Sequence, residues 1–149
     1  MRERAYHKNM IQDNIFEKIK RTNEHGREYW LAREFAKVLG YSDFRNFENA
    51  IEKARITCTT AGQNSQDHLG GVTEMVLTGP NSGRKFPSYM LSRYACYLIA
   101  QNGDPRKVEI AKAQTYFAIK TRQKEVEDNL IEDNKRVFLR GEMKVHNKN

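Results

Sequence analysis

Apolar positions recur along this chain mostly at helical spacing. The stretch 14–20 sets Ile15, Phe16 and Ile19 against Lys18 and Lys20, which predicts an amphipathic turn or two. In LAREFAKVLG, residues Leu31, Phe35, Val38 and Leu39 share one face, and Gly40 stands where a left-handed residue ends a helix. After Tyr41, with Ser42 or Asp43 as the cap, Phe44, Phe47, Ala50, Ile51 and Ala54 predict a second helix, and the pair resembles a helix-turn-helix. The β-branched run ITCTT (56–60) reads as a strand end or a loop, and 62–71 as a polar surface loop. Residues 72–77, the wide turn GPNSG and RKFPSY then predict a β-hairpin.

From Ser88 the helical period returns. Met90, Leu91, Tyr94, Ala95, Cys96, Leu98 and Ile99 make a helix apolar nearly all round, expected at the centre of the fold with Trp30 and Tyr116 beside it. Gly103 ends that helix. Asp104 then caps the next, with Pro105 at its first helical position. Val108, Ala111, Ala113, Tyr116 and Ile119 carry this helix onward, with no breaker before Gly141. Past Lys124, Val126, Leu130, Val137 and Phe138 recur at roughly helical spacing among dense charge, so this stripe is expected to pack on the body or, more readily, on a second copy of the chain. The fold class is therefore α+β and mainly α-helical, with a helix-turn-helix-like pair, a central helical core and one small hairpin. Residues 1–122 form the domain and 123–149 a charged amphipathic extension.

Composition narrows the function. At 149 residues and a mean hydropathy of −0.84 the chain holds one domain plus a polar extension, not two large domains. It has no apolar run long enough to span a bilayer and no apolar signal region in its first twenty residues, so a cytoplasmic protein is expected. Two cysteines, Cys58 and Cys96, are too few for a disulfide scaffold and read as reduced structural thiols.

The net charge of +7 favours a polyanionic partner. The middle of the chain is the most one-sided, and there Arg84, Lys85, Arg93, Arg106 and Lys107 stand against Asp104 alone between positions 84 and 107. If the second helix of the pair reads DNA, its wet face offers Arg45, Asn49 and Lys53, types that contact base edges and phosphates, although Glu48 and Glu52 share the element. The competing reading is a solvated helix, and for the hairpin an exposed surface turn. The hairpin turn is no phosphate loop, because Gly83 is followed by Arg84 and Lys85 where a lysine and a hydroxyl are needed. The expected nucleic-acid-binding set is thus Arg45, Asn49, Lys53, Arg84, Lys85, Arg93, Arg106 and Lys107, with the last five presented toward one surface.

Catalysis has little support. His7, His25, His68 and His146 show no metal-site spacing, and no hydrolase signature is present, so neither a metal nor a cofactor is expected. A metal-dependent nuclease would have to gather Asp67, Glu74 and Lys85, and a nucleophilic pair would need Cys58 beside His68.

Three stretches carry a family resemblance: EYWLAREFAKVLGYSDFRNFENAIEKA, the pair Asp67-His68, and SYMLSRYACYLIAQNGDPRKVEIAKAQTYFAIKTRQKE. Together they resemble the DNA-damage-inducible protein D family, whose front part looks like the Bro-N domain of viral and phage proteins. Phe44 stands where relatives are expected to carry tryptophan. The resemblance implies a bacterial SOS-response protein without known catalysis, associated with DNA and with control of the RecA recombinase filament. It also implies that family members continue well beyond this length, so the chain is expected to be an N-terminal portion. A protein-interaction or antirepressor-type module without DNA contact is the alternative.

Overall fold

The computed structural model describes residues 14–139, with side chains through 134. Gly141, His7 and His146, and the side chains of Val137 and Phe138, lie outside the described residues. Asn14 opens α1 (Ile15–Ile19) by accepting the Phe16 N–H at 2.8 Å. Strands β1 (Arg21–Thr22) and β2 (Glu28–Leu31) follow, and α2 (Ala32–Val38) begins with no loop between. Gly40 at φ +85° ends α2 as expected, letting the Tyr41 N–H reach the Ala36 carbonyl at 2.9 Å.

Asp43, not Ser42, caps α3 (Phe44–Thr60). This helix overturns the strand-or-loop reading of 56–60, because ITCTT forms its last turns. Cys58 continues the buried row of Phe47, Ile51 and Ala54, while Ile56, Thr57, Thr59 and Thr60 point outward. Tertiary burial of one row outweighs the weak β preference of the others.

A short helix α4 (Ser65–His68) leads into the hairpin of β3 (Leu69–Gly79) and β4 (Ser82–Leu91). The hairpin is longer than expected at both ends, and only Pro80 and Asn81 lie between its strands, so the turn is tight rather than wide. Met90 and Leu91 belong to β4, not to the central helix. A short apolar run satisfies either period, and here Trp30↔Leu91 and Leu69↔Leu91 pairing extends the ladder up to Ser92. Ser92 then caps α5 (Arg93–Gln101), its Oγ accepting the Ala95 N–H. Asp104 and Pro105 form a turn before α6 (Val108–Leu139) rather than its first residues. The Asp104 carboxylate is turned to Arg106, and the first helical carbonyl is that of Lys107.

The four strands run antiparallel in the order β1-β2-β4-β3. Trp30, Leu91 and Leu69 lie side by side on one sheet face, against Phe16, Phe35, Phe47, Ile51, Ile99 and Phe117. Trp30, Ile99 and Tyr116 are buried as expected, whereas Tyr94 and Leu98 are only half-buried, because the shorter α5 presents one face, not its whole girth, to the core. Both cysteines are free and buried, and burial raises both thiols. On α6 the described members of the stripe, Val126 and Leu130, are exposed rather than packed on the body, and so is Ile131 beside them. Among the described residues no helix is long and apolar enough to cross a membrane.

One polar cluster ties α1 to α6. Glu17 Oε1 accepts from Tyr116 Oη at 2.5 Å and pairs with Lys120 at 3.1 Å, while Oε2 pairs with Lys20 at 2.9 Å. Burial alone would raise this carboxyl, but the three donors prevail and hold it at about 2. A depressed folded-state pKa stabilises the fold above the unfolded-state value of 4.5, and that contribution is lost as pH falls from there through about 2. The parent is therefore expected to lose more Tm between pH 5 and pH 2 than Glu17→Gln does, measured by thermal melts across that range. Parallel curves would remove Glu17 from the acid response.

Candidate nucleic-acid interface

The hairpin is held to the helix pair by one arginine. No side chain of the Leu31 cap closes the first turn of α2, and the Glu74 carboxylate of β3 supplies the missing acceptor for the Arg33 N–H at 3.0 Å. The buried Ser88 hydroxyl donates to the same Glu74 oxygen. The Arg33 guanidinium continues to β4, donating to the Pro87 carbonyl through Nε at 3.2 Å and Nη2 at 2.9 Å.

That guanidinium also lies 4.0 Å from the Phe44 ring centre and 5.3 Å from that of Phe86, and the Arg84 guanidinium lies 5.9 Å from the same Phe86 ring centre. Phe44, Arg33, Phe86 and Arg84 thus form a chain of cation–aromatic contacts from the start of α3 to the projecting half of the hairpin. A groove of about 650 Å³ runs beside it, between α2 and β3, with Lys37, Tyr41 and Phe44 on one wall and Thr73, Met75 and Leu77 on the other.

The eight expected binding residues do not form one surface. Arg45, Asn49 and Lys53 are exposed at four-residue intervals on α3, one ridge beginning next to Phe44 and therefore next to the chain that ends at Arg84. Arg84 pairs with Val76 and Lys85 with Met75, so the two neighbours point to opposite faces of the hairpin. Arg93 is farther off. Leu91 stands seven positions along the strand from Arg84, about 23 Å at the usual rise, and Arg93 opens into a different cleft, with Arg27 and Lys120. Arg106 is spent on Asp104, its Nε and Nη2 donating to that carboxylate at 3.0–3.3 Å. Lys107 is exposed, just before Glu109, whose carboxylate lies near Gly40 in the α2–α3 turn.

Sequence reasoning missed Arg33 and Phe86, and it named Glu74 only as a nuclease candidate. Arg33 and Glu74 are 41 residues apart, and no local spacing links them. The trio named for a nuclease is not assembled, since Glu74 serves Arg33 and Ser88 while Lys85 lies on the other hairpin face. Among the described residues no three acids, histidines or cysteines are placed to hold a metal ion. Cys58 and His68 form no pair either, because the His68 ring is engaged through Nδ1 with Ser92 Oγ at 2.8 Å and Cys58 is buried.

The structure is thus a mainly helical α+β domain whose helix pair is clamped to a basic hairpin. The chain belongs to the BRO family, whose N-terminal domain (Bro-N) matches residues 18–118. It is also 48% identical over 138 residues to DNA damage-inducible protein D of Escherichia coli strain K12, in agreement with the resemblance carried by its motifs. That alignment covers 89% of this chain and 50% of the relative, so the chain spans about half the relative's length. No solved structure matches.

Proposed function

We propose that this domain is a DNA-binding module of the bacterial DNA-damage response, acting without catalysis and touching the phosphate backbone with the α3 ridge and the Arg84 face of the hairpin. The observation that carries the reading is the Phe44–Arg33–Phe86–Arg84 chain, which fixes a basic β-arm relative to a helix bearing Arg45, Asn49 and Lys53. A rigid pair of basic elements can follow a backbone that neither element spans alone. The relative's name, DNA damage-inducible protein D, sets the biological context.

Titrations with single- and double-stranded DNA at several salt concentrations test this. Affinity should fall steeply as salt rises. Arg45→Ala with Arg84→Ala should weaken binding and shallow the salt slope by about two units at most, whereas Lys85→Ala, on the other hairpin face, should change it less. Binding that ignores salt, or a double variant with unchanged slope, would overturn the assignment.

The α6 extension favours a second activity for the same chain. Val126, Leu130 and Ile131 are exposed on a helix that is charged elsewhere, and an uncovered helix gains little from propensity alone. We assign this stripe to a second copy of the chain, which light scattering at rising concentration would show as a dimer. Control of the RecA recombinase filament is a further part of the proposal, resting on the family resemblance. It is tested by filament assembly with and without the domain, where identical assembly rates would remove it.

A further inference from the structure

The base of the hairpin forms a second cleft, of about 350 Å³, between the β1–β2 turn, the start of α5 and the middle of α6. Five cationic or titratable groups line it, Arg27, His68, Arg93, Lys120 and Lys124, against Glu28 and Glu127. The two lysines already have acid partners, Lys120 in Glu17 and Lys124 in Asp128. Arg27 and Arg93 have none among the described residues.

We propose that this cleft binds a phosphomonoester, the terminal phosphate of a nucleotide or of a nucleic-acid strand, with Arg93 and Arg27 as its clamp. The strongest sign is Arg93 Nε, which is sealed from solvent yet has no acceptor. Arg93 as a whole is half-buried and lines the cleft, so an oxyanion there meets the open part of a guanidinium that has no other acceptor.

The backbone adds donors. Ser92 Oγ takes the Ala95 N–H and its carbonyl takes that of Cys96, which leaves the Arg93 and Tyr94 N–H groups at the head of nine-residue α5 without helical acceptors. Two guanidiniums and two N–H groups present more positive charge than the single negative charge of a carboxylate or a mid-strand phosphodiester balances. A terminal phosphate brings three acceptor oxygens and nearly two charges. The wall beside the clamp is aromatic, with the His68 and Tyr94 rings 5.0 Å apart, and the cleft leaves room for the sugar that follows.

His68 reports on the site. Burial lowers its pKa, Asp67 opposes that shift, and the positive charge of Arg27 lowers it further. An anion between Arg27 and His68 should therefore raise it.

The site does not depend on the hairpin face proposed above, and two measurements keep the readings apart. In the first, inorganic phosphate and deoxyadenosine monophosphate are titrated while the His68 ring resonances are followed. The shifts should saturate and the His68 titration should move to higher pH, and Arg93→Ala or Arg27→Ala should abolish both effects while circular dichroism stays unchanged. In the second, matched single strands with and without a 5′-phosphate are compared. A preference of about tenfold for the phosphorylated strand, lost in Arg93→Ala and kept in Arg84→Ala, identifies a strand end as the source.

Saturable phosphate binding with no preference between the strands supports the site and assigns it to a small phosphorylated molecule. The site also stands, and the DNA reading falls, if phosphate binds while neither strand does. Absence of a His68 response to either phosphate probe overturns the proposal. So does a response to an aspartate-rich peptide that phosphate fails to reproduce.

Discussion

Phe117→Ala is expected to lower stability by about 3–5 kcal/mol, close to the whole stability of many domains of this size. Phe117 is fully buried, and its ring meets those of Phe16, Trp30, Phe35 and Tyr116 at centroid distances of 4.7–5.5 Å, four of them edge-on or nearly so. These partners come from α1, β2, α2 and α6, so one side chain joins four elements. Truncation would open a cavity that aromatic neighbours, which cannot flex into it, would fill poorly. Leu98→Ala is the control: its side chain is only half-buried, so it should cost much less. Urea unfolding followed by circular dichroism measures both, and equal midpoints for the two variants would show that the aromatic cluster is not the centre of the fold.

Glu74→Ala should act on stability and DNA binding together, in a direction that charge alone does not predict. The substitution leaves the buried Ser88 hydroxyl and the Arg33 N–H at the head of α2 without their acceptor, at about 1–3 kcal/mol for each unmet donor. It also removes a negative charge beside a basic surface, which by itself would tighten a phosphate contact. If the hairpin must be held by Arg33 to follow the backbone, affinity should nonetheless fall. Glu74→Gln, which keeps one acceptor oxygen, should recover most of the lost stability and binding. A melt unchanged in the alanine variant, or DNA bound more tightly, would show that the carboxylate neither caps α2 nor positions the arm.

Much of this architecture is legible in the sequence. Asp43 for α3 and Gly40 for α2 lie where cap and closing-glycine chemistry puts them, whereas Asp104 does not cap α6 because its carboxylate is taken by Arg106. Errors fell where long-range contacts decide. ITCTT was ambiguous until the burial of Cys58 made it helical, and Met90 and Leu91 became strand because Leu69 and Trp30 pair with them.

The binding surface was less legible still. Arg84 and Lys85, adjacent in sequence, were expected on one surface, but the pleat separates them and their register with Val76 and Met75 shows it. Arg33 read as an ordinary surface charge. Its role as a clamp needs Glu74, Pro87, Phe44 and Phe86 at once, and no spacing in the sequence announces that meeting.

The chain has a single tryptophan, Trp30, with no solvent exposure and its indole N–H donated to the Phe16 carbonyl at 2.8 Å. Its fluorescence should therefore be blue-shifted and should shift to the red only when the core opens. Excitation of the indole gives a signal confined to folding, and quenching by a small polar solute such as acrylamide should be weak until then. A nucleic acid or phosphate compound added to the surface clefts should leave the emission maximum unmoved, so a single optical channel distinguishes a ligand that docks from one that unfolds the domain.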